Sequence, residues 1–343
     1  MEHLSSPRAR RDHERRRDRL LMVALAGGLF LSILLAGAVG GGTLNVSDIG
    51  AFLRPGQLEG TERTILLLIR LPRVFLAVLV GGGLSLSGAV MQGLFRNPLV
   101  DPYILGISSG AAFGAVVAIL TGISRSVLAI PVTAFAFALL TAAVVFSLGR
   151  IGHRFPLETL LLAGVAVGFF FSALISLGMY MAGESLHQVV FWIMGGLWNR
   201  GYREVWMTLP FTVFAVPVLL AHARELNAFL LGERAAESMG VDVEKVKKRL
   251  LVTSSLLVAA CVSVSGVIGF VGLVVPHLVR LLGGQNHRLL LPASLFAGGV
   301  VLLWADVIAR TVVHPVELPV GIVTGILGAP FFVYLLRRRR GRW

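Results

Sequence analysis

The stretch "GFVGLVVPHLVRLL", residues 269–282, decides how this chain is arranged. It is apolar but only 14 residues long, whereas a helix needs about 20 apolar residues to cross the hydrocarbon core of a bilayer. Gly269 and Gly272 stand near its start and Pro276 interrupts it, so we expect a discontinuous half-helix. Backbone groups that lose their helical hydrogen bonds at such a break must face protein or water and not lipid. Segments of this kind are typical of the border of a transport path.

The rest of the chain has the composition of an all-α polytopic membrane protein. Of its 343 residues, 56% are hydrophobic and only 14% are charged, and the mean hydropathy is +0.83. No A-x-A-like cleavage pattern closes the first apolar stretch, so we expect it to be retained. Nine stretches are long and apolar enough to span a bilayer, and they cover residues 20–40, 72–95, 102–121, 126–148, 157–182, 204–221, 249–267, 289–310 and 317–336.

Counting the short element gives ten spans, which places both termini on the same side of the membrane. With the termini inside, 23 of the 31 basic residues lie on the cytoplasmic side, as the positive-inside rule requires. Nine spans would place the basic C-terminus outside. We therefore predict one transmembrane domain over residues 20–338, between a cytoplasmic N-terminal tail of residues 1–19 and a cytoplasmic C-terminal tail of residues 339–343.

Several kinds of chemistry find no support in the sequence. The only lysines are Lys245, Lys247 and Lys248, and none follows a glycine, so the chain has no Walker A loop. No H-E-x-x-H or Cys-x-x-Cys pattern occurs, and Cys261 is the single cysteine. The pattern "GISSG", residues 106–110, resembles a hydrolase nucleophile elbow but lies in an apolar helical run. We expect no catalytic residue, no cofactor and no metal site.

The polar stretch that follows the second span, residues 96–114, combines a turn with a helix start. Pro98 and Pro102 disfavour helical backbone at the residues before them. Asp101 is suited to accept the free N–H groups of a helix that begins at Pro102. Glycines at every fourth position from 106 to 114 would let another helix approach closely.

The loop 222–249 is the longest polar insertion between spans, and its pattern predicts two short helices. Gly232 breaks the chain after "AFLL", and Gly240 ends "ERAAESM". From this evidence alone, docking to a soluble partner and a solvated surface helix remain equally open.

Three arginines at span ends on the outer side, Arg70, Arg73 and Arg310, run against the positive-inside bias. Exposed guanidinium groups there would bind carboxylates of an external protein. Equally, they would reach lipid phosphates.

Four long motifs in order resemble the permease family of ABC importers for iron chelates, haem and cobalamin. They are "RLPRVFLAVLVGGGLSLSGAVMQGLFRNPLVDPYILGISSGAAFGA" (70–115), "LNAFLLGERAAESMGV" (226–241), "GVIGFVGLVVPHLVRLLGG" (266–284) and "ELPVGIVTGILGAPFFVYLL" (317–336). The resemblance implies a type II importer fold that works as a homodimer in the bacterial cytoplasmic (inner) membrane. It also implies two copies of a separate ATPase below and a substrate-binding protein above. Haem or a ferric siderophore is the first expected substrate, and cobalamin the second.

The resemblance also assigns roles to individual residues. The family's ATPase-coupling pattern matches Leu226, Gly232, Glu233, Ala236 and Gly240. The outer arginines, Arg70, Arg73 and Arg310, match the positions at which the family docks its binding protein, which favours carboxylate recognition over lipid contact.

At the cytoplasmic gate, Asn97 and Leu99 match a turn that narrows the mouth of the path in related permeases. Leu157 and Glu158, at the start of the fifth span, stand where some relatives carry small hydroxyl residues.

An ion-coupled secondary transporter is the main alternative, and an intramembrane enzyme a more distant one. Ion-coupled carriers usually hold ionisable side chains at mid-membrane depth. In this chain Glu158, Asp306 and Glu317 all fall near span ends, which disfavours ion coupling.

Overall fold

A computed structural model describes residues 7–38, 63–126, 128–313 and 316–339. Within these ranges the chain is α-helical and contains no β-strand. The described residues form thirteen α-helices: α1 (Pro7–Ala38), α2 (Leu71–Leu94), α3 (Ile107–Leu120), α4 (Ala129–Gly149), α5 (Leu157–Met181), α6 (Leu186–Met194), α7 (Tyr202–Ala221), α8 (Ala223–Phe229), α9 (Glu233–Ser238), α10 (Val243–Ser265), α11 (Val271–Gly283), α12 (His287–Thr311) and α13 (Val320–Arg339). A π-helical turn, Ile65–Arg70, continues into α2.

Ten of the described helices correspond to the predicted spans. Seven are long and apolar enough to cross a membrane: α1, α2 with its π-helical turn, α4, α5, α7, α10 and α12. Three are shorter and apolar: α3, α11 and the first part of α13. The predicted all-α polytopic fold is thus confirmed. The sequence did not predict α6, nine residues that lie between α5 and α7.

A central group of three helices, α2, α10 and α12, forms the buried core of the bundle. Small residues allow the helices to approach backbone to backbone. A Cβ atom on Gly81 would collide with the Gly298 carbonyl of α12, and one on Gly83 would lie 2.8 Å from the Cys261 Sγ of α10. In contrast, α5 leaves much of its apolar surface exposed, including Phe169 at 73%.

The glycine repeat of α3 packs against α4, as its spacing predicts. A Cβ atom on Gly110 would collide with Thr141, and one on Gly114 would lie 2.9 Å from the Phe137 Cβ. Before α3, Asp101 accepts a hydrogen bond from the Tyr103 N–H at 2.8 Å and caps a short 3-10 turn, Pro102–Leu105. The helix itself begins five residues later than expected, after Gly106 with φ +72°.

The short tenth element is one helix that runs through Pro276, so the interruption predicted at this proline is wrong, and the chain is instead non-helical before the element begins. The helix α10 ends at Ser265, and α11 begins only at Val271. Phe270, directly before α11, has φ +68°, an unfavourable conformation for a residue other than glycine. The 13 residues of α11 are too few to cross a bilayer.

Candidate transport, coupling and gating elements

The predicted coupling loop folds as two short helices, α8 and α9, before α10. Gly232 has φ +105° and Gly240 φ +84°, so both glycines take conformations that other residues rarely adopt. Leu226 and Ala236 are fully buried within the single chain. Ala236 therefore faces the permease and not an incoming partner.

The outward apolar surface of this loop comes from residues that the sequence did not single out. Leu230, Leu231 and Met239 are 40%, 70% and 63% exposed on an otherwise polar insertion. Exposed apolar side chains surrounded by polar residues are typical of protein docking surfaces. Asn227 also ties α8 to the start of α12, because its Oδ1 accepts a hydrogen bond from the His287 N–H at 2.8 Å.

Glu233, the first residue of α9, is anchored by a lysine of α10. The Lys247 Nζ lies 2.7 Å from a Glu233 carboxylate oxygen and 3.3 Å from Glu244. Lys247 is only 3% exposed. A lysine three residues after a glutamate on one helix is a recognisable pairing signal, but the contact with Glu233 depends on the tertiary fold.

The three outer arginines are close together in the fold but are buried rather than exposed. The Arg73 guanidinium contacts the Asp306 carboxylate at 2.9–3.0 Å and Glu317 at 2.8 Å. Arg310 donates to the Ala36 carbonyl at 2.6 Å, and Arg70 to the Gly37 and Ala38 carbonyls at 3.4 Å.

The prediction that these three guanidinium groups are exposed is therefore wrong. Arg70, Arg73 and Arg310 are 7%, 6% and 6% exposed, because the C-terminal ends of α1 and α12 close around them. The side chain of Glu317, at 41% exposure, is the more accessible member of the cluster. A role in docking a binding protein stays a prediction.

The turn after α2 presents the two predicted gate residues to the surface. Arg96, with φ +48°, lies two residues after the end of α2, and the Asn97 side chain accepts a hydrogen bond from the Leu99 N–H at 3.0 Å. Leu99 is 43% exposed.

On the facing element, Leu157 is half-buried and Glu158 exposed in the first turn of α5. Among the described residues, no hydrogen bond or ion pair joins Leu157 or Glu158 to Asn97 or Leu99. Deeper in the bundle, α5 contacts the residue before α3, where a Cβ on Gly106 would lie 3.1 Å from the Gly164 carbonyl. The function of the two elements as a gate stays a prediction.

The broken element is held by contacts with α2 and with the turn before α3. Because Pro276 has no N–H, the Gly272 carbonyl four residues earlier lacks its helical partner, and it packs against Gly88 of α2. A Cβ on Gly272 would also lie 2.7 Å from the Pro102 Cδ. Gly269 has open space around it, so close packing does not require a glycine there.

Two polar side chains outside the sequence prediction complete this attachment. The Tyr103 hydroxyl donates to the Ile268 carbonyl at 3.0 Å, and the Gln92 Nε2 donates to the Leu273 carbonyl at 3.1 Å. The Ile268 carbonyl lies between α10 and α11, outside any helix, so the tyrosine satisfies a backbone group that no helix pairs, while the glutamine ties α2 to the first turn of α11. Whether Gly269, Gly272 and Pro276 border a water-filled path stays a prediction.

The fold and these elements define a membrane permease of an ABC importer. The chain belongs to the FecCD transport family, which matches residues 28–338. The family resemblance read from the four motifs is therefore confirmed.

Relatives with assigned transport roles cover most of the chain. It is 47% identical over 282 residues to the cobalamin import system permease protein BtuC of Halobacterium salinarum, covering 82% of this chain and 76% of the relative. It is 44% identical over 277 residues to the hemin transport system permease protein HmuU of Yersinia pestis, covering 79% and 83%. It is 34% identical over 323 residues to the Fe(3+)-citrate import system permease protein YfmE of Bacillus subtilis, covering 94% and 97%.

A solved structure of a metal-chelate type ABC transporter in an inward-facing conformation has the same fold. The TM-score is 0.84 at 34% sequence identity, and the match covers 93% of this chain and 99% of that chain.

Proposed function

We propose that this chain forms, as a homodimer, the translocation path of an ATP-driven importer for a metal chelate. Haem or a ferric siderophore is the first proposed substrate and cobalamin the second. A substrate-binding protein delivers the chelate from outside, and two copies of a cytoplasmic ATPase drive its movement. The homodimer lies in the bacterial cytoplasmic membrane with both termini of each copy inside.

The observation that carries this proposal is the docking surface on the α8–α9 loop. Its apolar residues, Leu230, Leu231 and Met239, are exposed to water on the proposed cytoplasmic side. Meanwhile Leu226 and Ala236 anchor the loop to the bundle, so a force applied to the loop reaches the membrane helices. This arrangement suits an importer that receives work from a separate ATPase, whereas an ion-coupled carrier needs no such surface.

Uptake into proteoliposomes tests the proposal. Vesicles that contain the permease and its ATPase, with the binding protein outside and ATP inside, should accumulate haem, a ferric siderophore or cobalamin. Inactivating the ATPase should stop uptake, while dissipating the ion gradients should not. The opposite pattern would support the ion-coupled alternative and overturn the proposal.

The ATPase-docking surface has its own test. Replacing both Leu231 and Met239 with aspartate should abolish copurification of the ATPase, because an apolar contact cannot tolerate unpaired charge. The matched control is Ile151→Asp, an apolar residue that is 62% exposed in the loop between α4 and α5. Normal copurification of the ATPase with the Leu231 and Met239 double variant would contradict the proposed surface.

Docking of the binding protein at Arg70, Arg73 and Arg310 belongs to the same proposal. The binding protein would contact the exposed Glu317 carboxylate of the cluster and the loops that the arginines hold in place. Charge pairs at the rim of an interface mainly set the association rate and weaken with salt. Glu317→Gln should therefore change the association rate and its salt dependence, while thermal unfolding stays near that of the wild type. An unchanged rate at every salt concentration would leave the cluster with a purely structural role.

A further inference from the structure

Lys247 is a buried ionisable group that ATP-dependent transport does not by itself explain. Its side chain is 4% exposed, although lysine usually keeps its ammonium group in water. Two carboxylates hold it: Glu233 on α9 at 2.7 Å and Glu244 on α10 at 3.3 Å. Removing one partner from a buried charge pair is strongly unfavourable. The two helices are therefore tied together at this lysine.

The contact continues from Glu244 to the helix on the far side of the proposed gate. The second carboxylate oxygen of Glu244 accepts a hydrogen bond from the Phe155 backbone N–H at 2.7 Å. Phe155 stands two residues before α5. We call this chain of contacts, from Glu233 through Lys247 and Glu244 to the Phe155 N–H, the Lys247 link.

The start of α9 also lies beside the other element of the proposed gate. A Cβ atom on Gly232 would lie 3.6 Å from the Arg96 Nη1, in the turn that carries Asn97 and Leu99. Arg96 and Leu230 line the same cavity of about 220 Å³. Gly232 thus lies beside one gate element, and Glu233 reaches the other through the Lys247 link.

We propose that Lys247 and Glu244 are positioning residues that transmit movement of the coupling helices α8 and α9 to the start of α5. A displacement of α9 would carry the Glu233 carboxylate, and the buried ammonium group would move with it to avoid losing its partner. Glu244 would then shift the backbone at Phe155 and reorient Leu157 and Glu158. This inference rests on the proposed function, because it requires an ATPase that moves the loop.

The chain offers a matched control on the same helix. Asp242 and Lys245 form an ion pair at 2.7 Å with the same spacing of three residues as Glu244 and Lys247. Their side chains, however, are 53% and 73% exposed. An exposed pair of this kind contributes little, and within the described part of the chain no hydrogen bond or ion pair ties it to α5 or α9. Lys245→Met therefore removes the same chemistry without touching the Lys247 link.

The experiment measures how much ATP is hydrolysed for each substrate molecule taken up. Proteoliposomes of the complete importer are compared for wild type, Lys247→Met, Lys247→Arg and the control Lys245→Met. We expect Lys247→Met to raise the ATP-to-substrate ratio by about tenfold, because ATPase movement no longer reaches α5. Lys247→Arg, which keeps the charge, should restore most of the coupling, and Lys245→Met should match the wild type.

A second variant tests the inference independently in case Lys247→Met does not fold. Glu244→Ala breaks the link at another point and leaves Lys247 paired with Glu233, so no buried charge is left alone. It should raise the ratio as well. An unchanged ratio in both variants, or transport and ATP hydrolysis that fall in parallel with loss of bound ATPase, would overturn the inference. If the wild type itself shows no ATPase-dependent uptake, the proposed function fails instead.

Discussion

The central helix α10 and the peripheral helix α5 have similar lengths but opposite surroundings. In the most apolar 18-residue segment of α10, 78% of the residues are buried inside the chain, compared with 22% in the equivalent segment of α5. Yet α5 is the more apolar of the two helices. In water the more apolar helix would be the one in the core, so the reversal is characteristic of a protein whose solvent is lipid.

The difference lies in side-chain size and shape rather than in hydrophobicity. Lipid is as apolar as leucine, so helix association in a membrane depends on close packing and on hydrogen bonds. The buried residues of α10 include four serines, two alanines and Cys261 alongside valines and leucines. In contrast, α5 presents large side chains such as Leu162 and Phe169, at 71% and 73% exposure. Small residues mark the core, and large ones mark surfaces left for lipid or a second copy.

We expect the largest effect from a substitution in the buried charge cluster at the outer end of the bundle. Arg73→Met would leave the Asp306 carboxylate, which is 2% exposed, with Arg310 at 3.7 Å as its remaining ion-pair partner among the described residues. We expect a loss of about 3–5 kcal/mol in the free energy of unfolding, measured by thermal unfolding in detergent. Arg203→Met, at an exposed arginine of α7, is the control and should leave stability nearly unchanged. Equal unfolding temperatures for the two variants would mean that the buried pair contributes nothing.

A second change tests the close approach of α2 and α10. Gly83→Leu would force a side chain against Cys261 and Leu257, and we expect a loss of about 1–3 kcal/mol from overpacking. Gly325→Leu in α13 makes a matched control, because nothing lies within 4 Å of a Cβ at that position. The measurement is again thermal unfolding. If both leucine variants are equally stable, then small residues do not mark the core.

A third change tests whether the exposed face of α5 meets lipid or a second copy. Phe169→Ala with Phe170→Ala should alter the stability of the single chain by only about 0.5 kcal/mol, because these rings are 73% and 61% exposed. If this face meets a second copy, the dimer should dissociate at lower protein concentration, which light scattering in detergent would detect. An intact dimer would assign the face to lipid.

The smallest effect concerns the exposed start of α10. Asp242 accepts hydrogen bonds from the side chain and the backbone N–H of Lys245, and these bonds lower the pKa of its carboxyl group below the ordinary value. A lowered pKa in the folded chain means that the stabilisation is present above the unfolded pKa of about 3.9. It is lost as the pH falls through the folded-state value.

Unfolding temperatures of wild type and Asp242→Ala should therefore differ slightly at neutral pH and converge in acid. A difference that persists in acid would show that the carboxylate charge is not the cause.

Much of this architecture follows from local pattern. The number of apolar helices, the half-helix around Pro276 and the two helices of the coupling loop were all predictable. The causes are local. They are the length of a helix relative to the thickness of the bilayer, the N–H that proline lacks, and the positive φ that Gly232 and Gly240 can adopt. The glycine repeat of α3 also predicted close packing, although it did not identify α4 as the partner.

The partners of the charged residues were decided only by the tertiary structure. Arg73 was expected to be exposed, but Asp306, more than 200 positions later, meets it in the fold. Ala236 matched a coupling pattern, yet its direction toward the permease depends on how α9 packs. In the Lys247 link, Glu233 and Glu244 lie 14 and 3 positions from Lys247, but Phe155 lies 89 positions from Glu244, so no local pattern predicts the connection to α5.

The physical reason is the range over which each effect acts. Insertion into lipid depends on the summed hydrophobicity of about 20 neighbouring residues, which the sequence alone determines. The burial of a given face of a helix depends on which other helix approaches it, and a lipid environment supplies no difference in hydrophobicity to single out that face. The sequence by itself therefore determined which segments enter the membrane. Only the packed bundle decided that α10 lies in the core, that α5 lies outside it, and that Lys247 lies between α9 and α5.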